Sequence, residues 1–186
     1  MNKTNKTLIV AGSALAATVT GTLLYLKNRR TIPKTAKAIK DFDLSKYLGK
    51  WYEIARIDFI HERHLHETTA DYSLNEDGTV KVVNSGYNIK KDRWEVATGK
   101  AKFISTENVG MLKVSFFGPF YAGYNVLAVE DDYKYALVGG ETADYLWILS
   151  REKSLTLEVK EKFLDIAEAY GYNISKLLWV KQHGLK

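Results

Sequence analysis

The sequence contains no cysteine among its 186 residues. It therefore forms no disulfides, offers no thiol nucleophile, binds no zinc through thiolates and carries no lipid on a cysteine. Isomerase or synthase reactions that depend on a catalytic cysteine are excluded for the same reason. Because disulfides are missing altogether, cysteine usage does not indicate the redox compartment.

The sequence also lacks a basic folded region, although its net charge is +5. Eight of the 27 basic residues lie in residues 1–40, which contain no acidic residue. Residues 41–186 are left with 19 basic and 22 acidic side chains, a net charge of −3. A mildly acidic domain has no electrostatic support for a nucleic-acid partner, and we predict none.

Familiar catalytic and metal-binding patterns are missing as well. There is no Ser-His-Asp order and no glycine loop of the phosphate-binding type. Residues 61–66 (HERHLH) bring histidines and a carboxylate together, but their spacing matches no standard metal site, so we interpret them as a solvated loop. The acidic residues 130–132 are better explained by a hairpin turn than by calcium binding. We predict neither a metal nor a cofactor.

One long uncharged, mostly apolar run is present, at residues 7–26, with basic residues on both sides. Its length suits a helix that crosses a bilayer. A cleaved signal peptide with a processing site near residues 14–17 is the alternative, but the apolar residues continue beyond that point. We assign residues 1–30 to a membrane anchor or signal segment. Residues 31–40 are assigned to a basic tether that can lie against anionic lipid headgroups.

Two rules conflict over the side of the membrane on which the domain lies. The basic cluster in residues 27–40 should stay in the cytoplasm under the positive-inside rule. A short N-terminal signal anchor, however, more often sends the domain that follows it outward. We expect an extracytoplasmic domain in the cell envelope, with the orientation left open.

Residues 41–186 alternate between apolar and polar positions in eight runs separated by turn residues. Their connections are short, and no helix joins one strand to the next. This pattern predicts an all-β fold, an eight-stranded antiparallel up-and-down β-barrel, which we prefer to an open meander because a barrel has no exposed edges. The runs span residues 51–57, 68–74, 79–89, 94–104, 111–117, 121–129, 133–140 and 144–151.

A single helix follows the eighth strand. Ser154 or Thr156 can cap its start, and Gly171 lies where a helix C-terminal cap belongs. The apolar residues form one stripe, so the helix is expected to pack on the outer wall of the barrel. That stripe comprises Val159, Phe163, Ile166 and Tyr170. A last apolar run at residues 177–180 can add an edge strand.

Three blocks in this order resemble the signature of the lipocalin family. Residues 49–53 (GKWYE) are similar to its Gly-x-Trp block, residues 131–138 (DDYKYALV) to its second block, and residues 146–151 (LWILSR) to its third. Residues 113–129 are closer still to bacterial lipocalins of the outer-membrane type, relatives of apolipoprotein D. Two features depart from the family: Asp131 stands in place of threonine, and the cysteine that is usually acylated is missing.

The resemblance implies roles for several residues. Its structural signature falls on Gly49, Trp51, Asp132, Tyr133 and Arg151, with Trp51 closing one end of the barrel beneath Arg151. It also implies that Trp147 points into the ligand cavity. Tyr145 shares the parity of Trp147, and Tyr124, Phe116 and Val114 are further candidates to line that cavity.

An apolar cavity with a few tyrosine hydroxyls suits a small amphipathic lipid. We therefore expect a protein that stores or transports a fatty acid or lysophospholipid at a membrane surface, in maintenance of envelope lipids, and that is not an enzyme. Two alternatives stay open: an enzyme of lipocalin fold that acts on an apolar substrate, and a filled barrel that acts as an interaction module. The oligomeric state is not determined by the sequence.

Overall fold

A computed structural model describes residues 30–59 and 62–182. The chain divides into two compact units, Met1–Arg30 and Thr31–Lys186, and the fold described below is that of the second. The predicted membrane segment, residues 7–26, lies outside the described residues. Of the helices that are described, none has the length and apolarity needed to span a bilayer.

Eight consecutive strands form a closed antiparallel barrel, which confirms the predicted architecture. Each strand pairs with the next, and β1 closes the barrel by pairing with both β2 and β8. The strands are β1 (Gly49–Ile57), β2 (Leu65–Leu74), β3 (Val80–Asn88), β4 (Arg93–Phe103), β5 (Met111–Phe117), β6 (Phe120–Val129), β7 (Tyr135–Gly139) and β8 (Leu146–Ser150).

Alternation along the strands separates two apolar cores. The inner core fills part of the barrel and includes Trp51, Tyr72 and Leu149. The outer core lies on the opposite faces of β1, β6, β7 and β8, beneath the helix that follows the barrel. Because successive side chains point to opposite faces of a strand, the same strands contribute to both cores.

The main helix is α2 (Leu157–Ala169), and Thr156 caps it by accepting a hydrogen bond from the Val159 backbone N–H. Val159, Phe163 and Ala167 are buried against the outer core, so the helix covers this wall as predicted. Gly171 has a φ of +86°, the left-handed conformation that glycine adopts readily at a helix end.

Two short elements complete the C-terminal region, and one precedes the barrel. A 3₁₀ turn (Ile174–Lys176) leads into β9 (Leu177–Trp179), which pairs with the end of β1 as the predicted edge strand. The helix α1 (Leu44–Tyr47) comes before β1, and Asp43 caps it by accepting a hydrogen bond from the Ser45 backbone N–H. The sequence did not predict α1.

Residues 31–42, which include the predicted tether, lie along the barrel. The Ile39 N–H donates to the Val126 carbonyl, and the Ile39 carbonyl accepts from the Gly110 N–H. Ala36 and Phe42 are buried. The packed unit therefore begins before the predicted domain boundary at residue 41.

Candidate functional site

The barrel has a closed end at the start of β1. Trp51 is fully buried there, and its indole Nε1 donates to the Tyr47 carbonyl at 2.8 Å. The Arg151 guanidinium carbon lies 3.8 Å from the centroid of the Trp51 ring, which is the geometry of a cation–π contact. Gly49 has a φ of +88°, and a Cβ at this position would lie 3.6 Å from the Arg151 Nη1 atom.

Arg151 also binds the backbone beneath the barrel. Its Nη1 atom donates to the Lys50 carbonyl at 2.8 Å. Its Nη2 atom donates to the carbonyls of Lys46 and Leu48, each at 2.8 Å. A planar guanidinium presents several donors in fixed directions, so one side chain holds several carbonyls in place.

The remaining two signature residues lie in the turn before β7. Asp132 accepts a hydrogen bond from the Lys134 N–H, and the Tyr133 hydroxyl accepts one from the Asp43 N–H at 2.8 Å. Tyr133 has a φ of 55°, which is unusual for a residue with a side chain. This turn joins the segment that precedes α1 to the closed end.

Three tyrosines meet above the closed end, inside the barrel. The Tyr124 hydroxyl is hydrogen-bonded to the hydroxyls of Tyr47, at 2.7 Å, and Tyr72, at 2.8 Å. Burial raises the pKa of all three well above its ordinary value, so the hydroxyls stay protonated. Near its closed end, the barrel interior therefore has a small polar region that is surrounded by apolar side chains.

The predicted wall residues face this interior. Val114, Phe116, Tyr124 and Trp147 pack against the inner core. The Phe116 ring lies so close to β4 that a Cβ at Gly99 would be 2.8 Å from it. Glycine at this position therefore lets an aromatic ring approach the strand closely.

Aromatic rings gather near the open end of the barrel, where β1 ends and β8 begins. Tyr145 and Trp147 are stacked with their centroids 6.3 Å apart. Phe59, just after β1, meets both rings edge-on, at 5.4 Å from Tyr145 and 6.0 Å from Trp147. Trp147 is half-buried, and its Nε1 atom donates to a Glu62 carboxylate oxygen at 3.1 Å.

A charged cluster lies next to these rings. Arg56 is only 1% exposed, and its Nη1 atom lies 2.7 Å from a Glu53 carboxylate oxygen. Its Nη2 atom donates to the carbonyls of Glu62 at 2.7 Å and Leu65 at 3.1 Å. A buried guanidinium needs such partners, because a charge without them would be costly in a low-dielectric interior.

Two carboxyl groups in this cluster have raised pKa values. Burial, followed by the charge of Glu53, raises the pKa of Glu62 to about 8. Burial also raises the pKa of Glu53, although Arg56 opposes this shift. The interior near the open end therefore combines a cation with carboxyl groups that resist ionisation.

The sequence located part of this arrangement. All five predicted cavity residues lie in the barrel interior or at its open end, whereas Arg56 was not predicted. The interpretation of residues 61–66 as a solvated loop is wrong for Glu62, whose carboxylate reaches Trp147. In the two described stretches, no three His, Asp or Glu side chains converge closely enough to hold a metal ion.

The sequence and the fold both match known proteins. A family model described as a lipocalin-like domain matches residues 42–182. The outer membrane lipoprotein Blc of Citrobacter freundii is 46% identical over 170 residues, which cover 91% of this chain and 96% of that protein. Apolipoprotein D of Cavia porcellus is 35% identical over 152 residues, covering 77% of this chain and 78% of that protein.

Solved structures share the same fold at lower sequence identity. Insecticyanin from the tobacco hornworm Manduca sexta aligns with a TM-score of 0.64 and 23% identity. The alignment covers 83% of this chain and 89% of insecticyanin.

Proposed function

The chain belongs to the lipocalin family, and from that membership, which implies a small hydrophobic ligand, we propose that it binds a fatty acid or a lysophospholipid inside its barrel. The observation that carries the proposal is the half-buried Trp147 on the inner wall, above an end that Trp51 closes. A cup that is sealed below and lined by aromatic and aliphatic side chains suits an acyl chain.

The distribution of polar groups supports an amphipathic ligand over a purely apolar one. The tyrosine hydroxyls lie low in the interior, whereas Arg56, Glu53 and Glu62 lie near the open end. An acyl chain would occupy the space between them, with its polar headgroup at the mouth. Each buried methylene contributes about 0.8 kcal/mol, so about ten methylenes supply on the order of 8 kcal/mol before the costs of association.

We further propose that residues 7–26 anchor the protein in a membrane of the cell envelope. The Blc relative is an outer membrane lipoprotein by name. The present sequence has no cysteine that could carry a lipid, so its apolar segment is the candidate for attaching the protein to the membrane. A barrel held beside a bilayer experiences a high effective concentration of lipid, which favours transfer into the cup without any chemical step.

Displacement of a fluorescent fatty acid from the full-length chain tests the binding proposal. We expect palmitate to displace the probe competitively, and Trp147→Ala to weaken palmitate affinity about tenfold, the loss of roughly 1.4 kcal/mol of contact. Trp179→Ala is the matched control, because Trp179 lies on β9 and is 43% exposed.

Two outcomes would contradict the proposal. Absence of displacement by palmitate and by lysophosphatidylcholine would rule out the ligand class. If Trp147→Ala lowers the free energy of unfolding but leaves the affinity unchanged, Trp147 is a core residue and the barrel interior is filled.

A further inference from the structure

The outer wall formed by β3 to β6 carries lysine and aromatic side chains and differs from the wall that α2 covers. We call it the lysine–aromatic wall. Its members are Lys81, Lys100, Lys102, Lys113 and Tyr121, together with Trp94 and Val96 nearer the open end. Phe117 and Phe120 lie at the tip of the β5–β6 hairpin, where the wall reaches the open end.

The lysines of this wall lie directly opposite one another. Lys81 pairs with Lys100 across β3 and β4, and Lys102 pairs with Lys113 across β4 and β5. Like charges opposite each other destabilise a sheet. A protein that keeps two such pairs side by side breaks a local rule, and such exceptions often mark a function.

One of the two pairs has no acidic counterpart. Lys100 lies 3.0 Å from Asp77, which offsets part of the first pair's repulsion. Lys102 and Lys113, by contrast, meet no carboxylate within 4.0 Å in the part of the chain that the structure describes. Their ammonium groups lie over the Tyr121 ring instead, at 4.9 and 5.5 Å from its centroid. An anion from outside the chain would complete this site.

Large apolar side chains are exposed beside the lysines. Phe117 and Phe120 face each other across the β5–β6 hairpin and are 81% and 79% exposed. Val96 and Trp94 on the neighbouring strand are 65% and 55% exposed. Tyr121, which receives the two ammonium groups, lies on the wall itself, whereas Phe120, the residue before it, belongs to the hairpin tip. Exposed aromatic side chains in such a group mark an interaction surface.

A shallow depression lies between the lysines of the wall and the β5–β6 hairpin. Its volume is about 430 Å³, and Lys81, Lys100, Thr98 and Tyr121 line it, with Gly118 of the hairpin at its margin. Two lysines and two hydroxyl-bearing side chains around a depression of this size suit a phosphate-bearing headgroup.

We propose that the lysine–aromatic wall docks on a bilayer that contains anionic lipid. Phe117 and Phe120 enter the interface, and the lysines bind headgroup phosphates. A surface that combines exposed Phe and Trp with Lys is typical of segments that lie in the membrane interface. Each lysine near an anionic surface adds to the attraction, so the lysines help to hold the wall at the headgroups.

Two other occupants fit the wall less well. A nucleic acid or acidic protein would neutralise the lysines but leave both phenylalanines in water. A second copy joined through the same wall would bring its lysines against these lysines, because a twofold interface uses one surface on both subunits. A bilayer with anionic lipid would both neutralise the lysines and bury the exposed phenylalanines. This docking goes beyond the binding proposal and is independent of the N-terminal segment.

The lack of cysteine allows the docking to be tested on the full-length chain with a single label. An environment-sensitive fluorophore on Thr98→Cys keeps the phenylalanines and lysines in place, and Phe117→Cys gives a second position. Leu157→Cys is the control, because Leu157 is an apolar residue of α2 that is 68% exposed. Each labelled protein is mixed with vesicles of phosphatidylcholine alone or with added phosphatidylglycerol.

We expect the labels at positions 98 and 117 to shift to the blue on vesicles with phosphatidylglycerol, and the label at position 157 to stay unchanged. Neutralising Lys102 and Lys113 to glutamine should weaken docking about thirtyfold, equivalent to about 2 kcal/mol. The label reports whether the wall itself is in contact with lipid. The test therefore works even if the N-terminal segment keeps every variant bound to the vesicle.

Three outcomes would overturn the proposal. The first is a signal at positions 98 and 117 that stays water-like with both vesicles. The second is an equal shift at position 157, or an equal shift without the anionic lipid. The third is a shift that grows with protein concentration when no vesicles are present, which would assign the wall to a second copy. None of these outcomes affects fatty-acid binding inside the barrel.

Discussion

At the scale of single residues, the most consequential group is the charged cluster around Arg56. Simple alternation along β1 places Arg56 on the outer face with Tyr52. The register with β8 shifts between Glu53 and Ala55, however, and Arg56 pairs with Trp147. This irregularity turns the guanidinium into the barrel. A bulge leaves no mark in the spacing of apolar residues, so the sequence did not predict the cluster.

Glu62 gives this cluster a testable pH dependence. Its pKa is about 8 in the folded protein against an ordinary value of 4.5, mainly because of burial. As the pH rises above 4.5, the unfolded chain releases this proton first, while the folded protein retains it up to about pH 8. The free energy of unfolding should therefore fall across this range, and the stability gained from the neutral carboxyl is complete only below pH 4.5.

We predict that Glu62→Gln removes this part of the pH dependence while keeping an acceptor for the Trp147 indole. Urea unfolding at pH 4.5 and pH 8 should show the wild type losing on the order of 2 kcal/mol more than the variant between the two pH values. Glu76→Gln, at an exposed turn, is the control and should behave as the wild type. Equal losses in wild type and Glu62→Gln would show that Glu62 is ionised in the folded protein.

At the scale of secondary-structure elements, alternation and turn residues were sufficient to predict the eight strands and α2. Long periodic segments carry a strong signal. The helix α1 has four residues, too few to show a helical period, and Asp43 alone indicates its start. The packing of residues 31–42 was missed because their contacts, such as that of Ile39 with Val126, join positions distant in sequence.

The elements at the closed end give a second prediction. Trp51→Ala should lower the free energy of unfolding by about 3–5 kcal/mol, because it empties a fully buried site and removes the ring beneath Arg151. Trp179→Ala should cost under about 1 kcal/mol, because Trp179 is 43% exposed and leaves no buried cavity when it is truncated. Denaturant unfolding measures both values.

The Trp51→Ala variant should also bind the same lipids as the wild type. Trp51 lies below the tyrosine cluster, so it supports the cup without contacting a ligand above it. A variant of unchanged stability that prefers different lipids would contradict this structural role.

At the scale of the whole molecule, the two ends of the barrel carry different groups. The closed end holds the signature residues, and the open end holds the aromatic rings and the Arg56 cluster. The lysine–aromatic wall extends from that open end down one side. Alternation along β8 predicted that Tyr145, Trp147 and Leu149 share one face, and the family resemblance implied that this face is the inner one; Trp147 and Leu149 do pack in the inner core. The sequence did not reveal the wall, because opposed lysines are recognised only once the register of β3 to β5 is known.

The central claim is that the barrel holds one amphipathic lipid in its interior. Native mass spectrometry of the delipidated full-length chain, mixed with palmitate or lysophosphatidylcholine, tests it most directly. We predict one bound lipid per chain, with the bound fraction clearly reduced in Trp147→Ala and unchanged in Trp179→Ala. A protein that stays free of lipid with both ligands, or that binds equally well without Trp147, would contradict the claim.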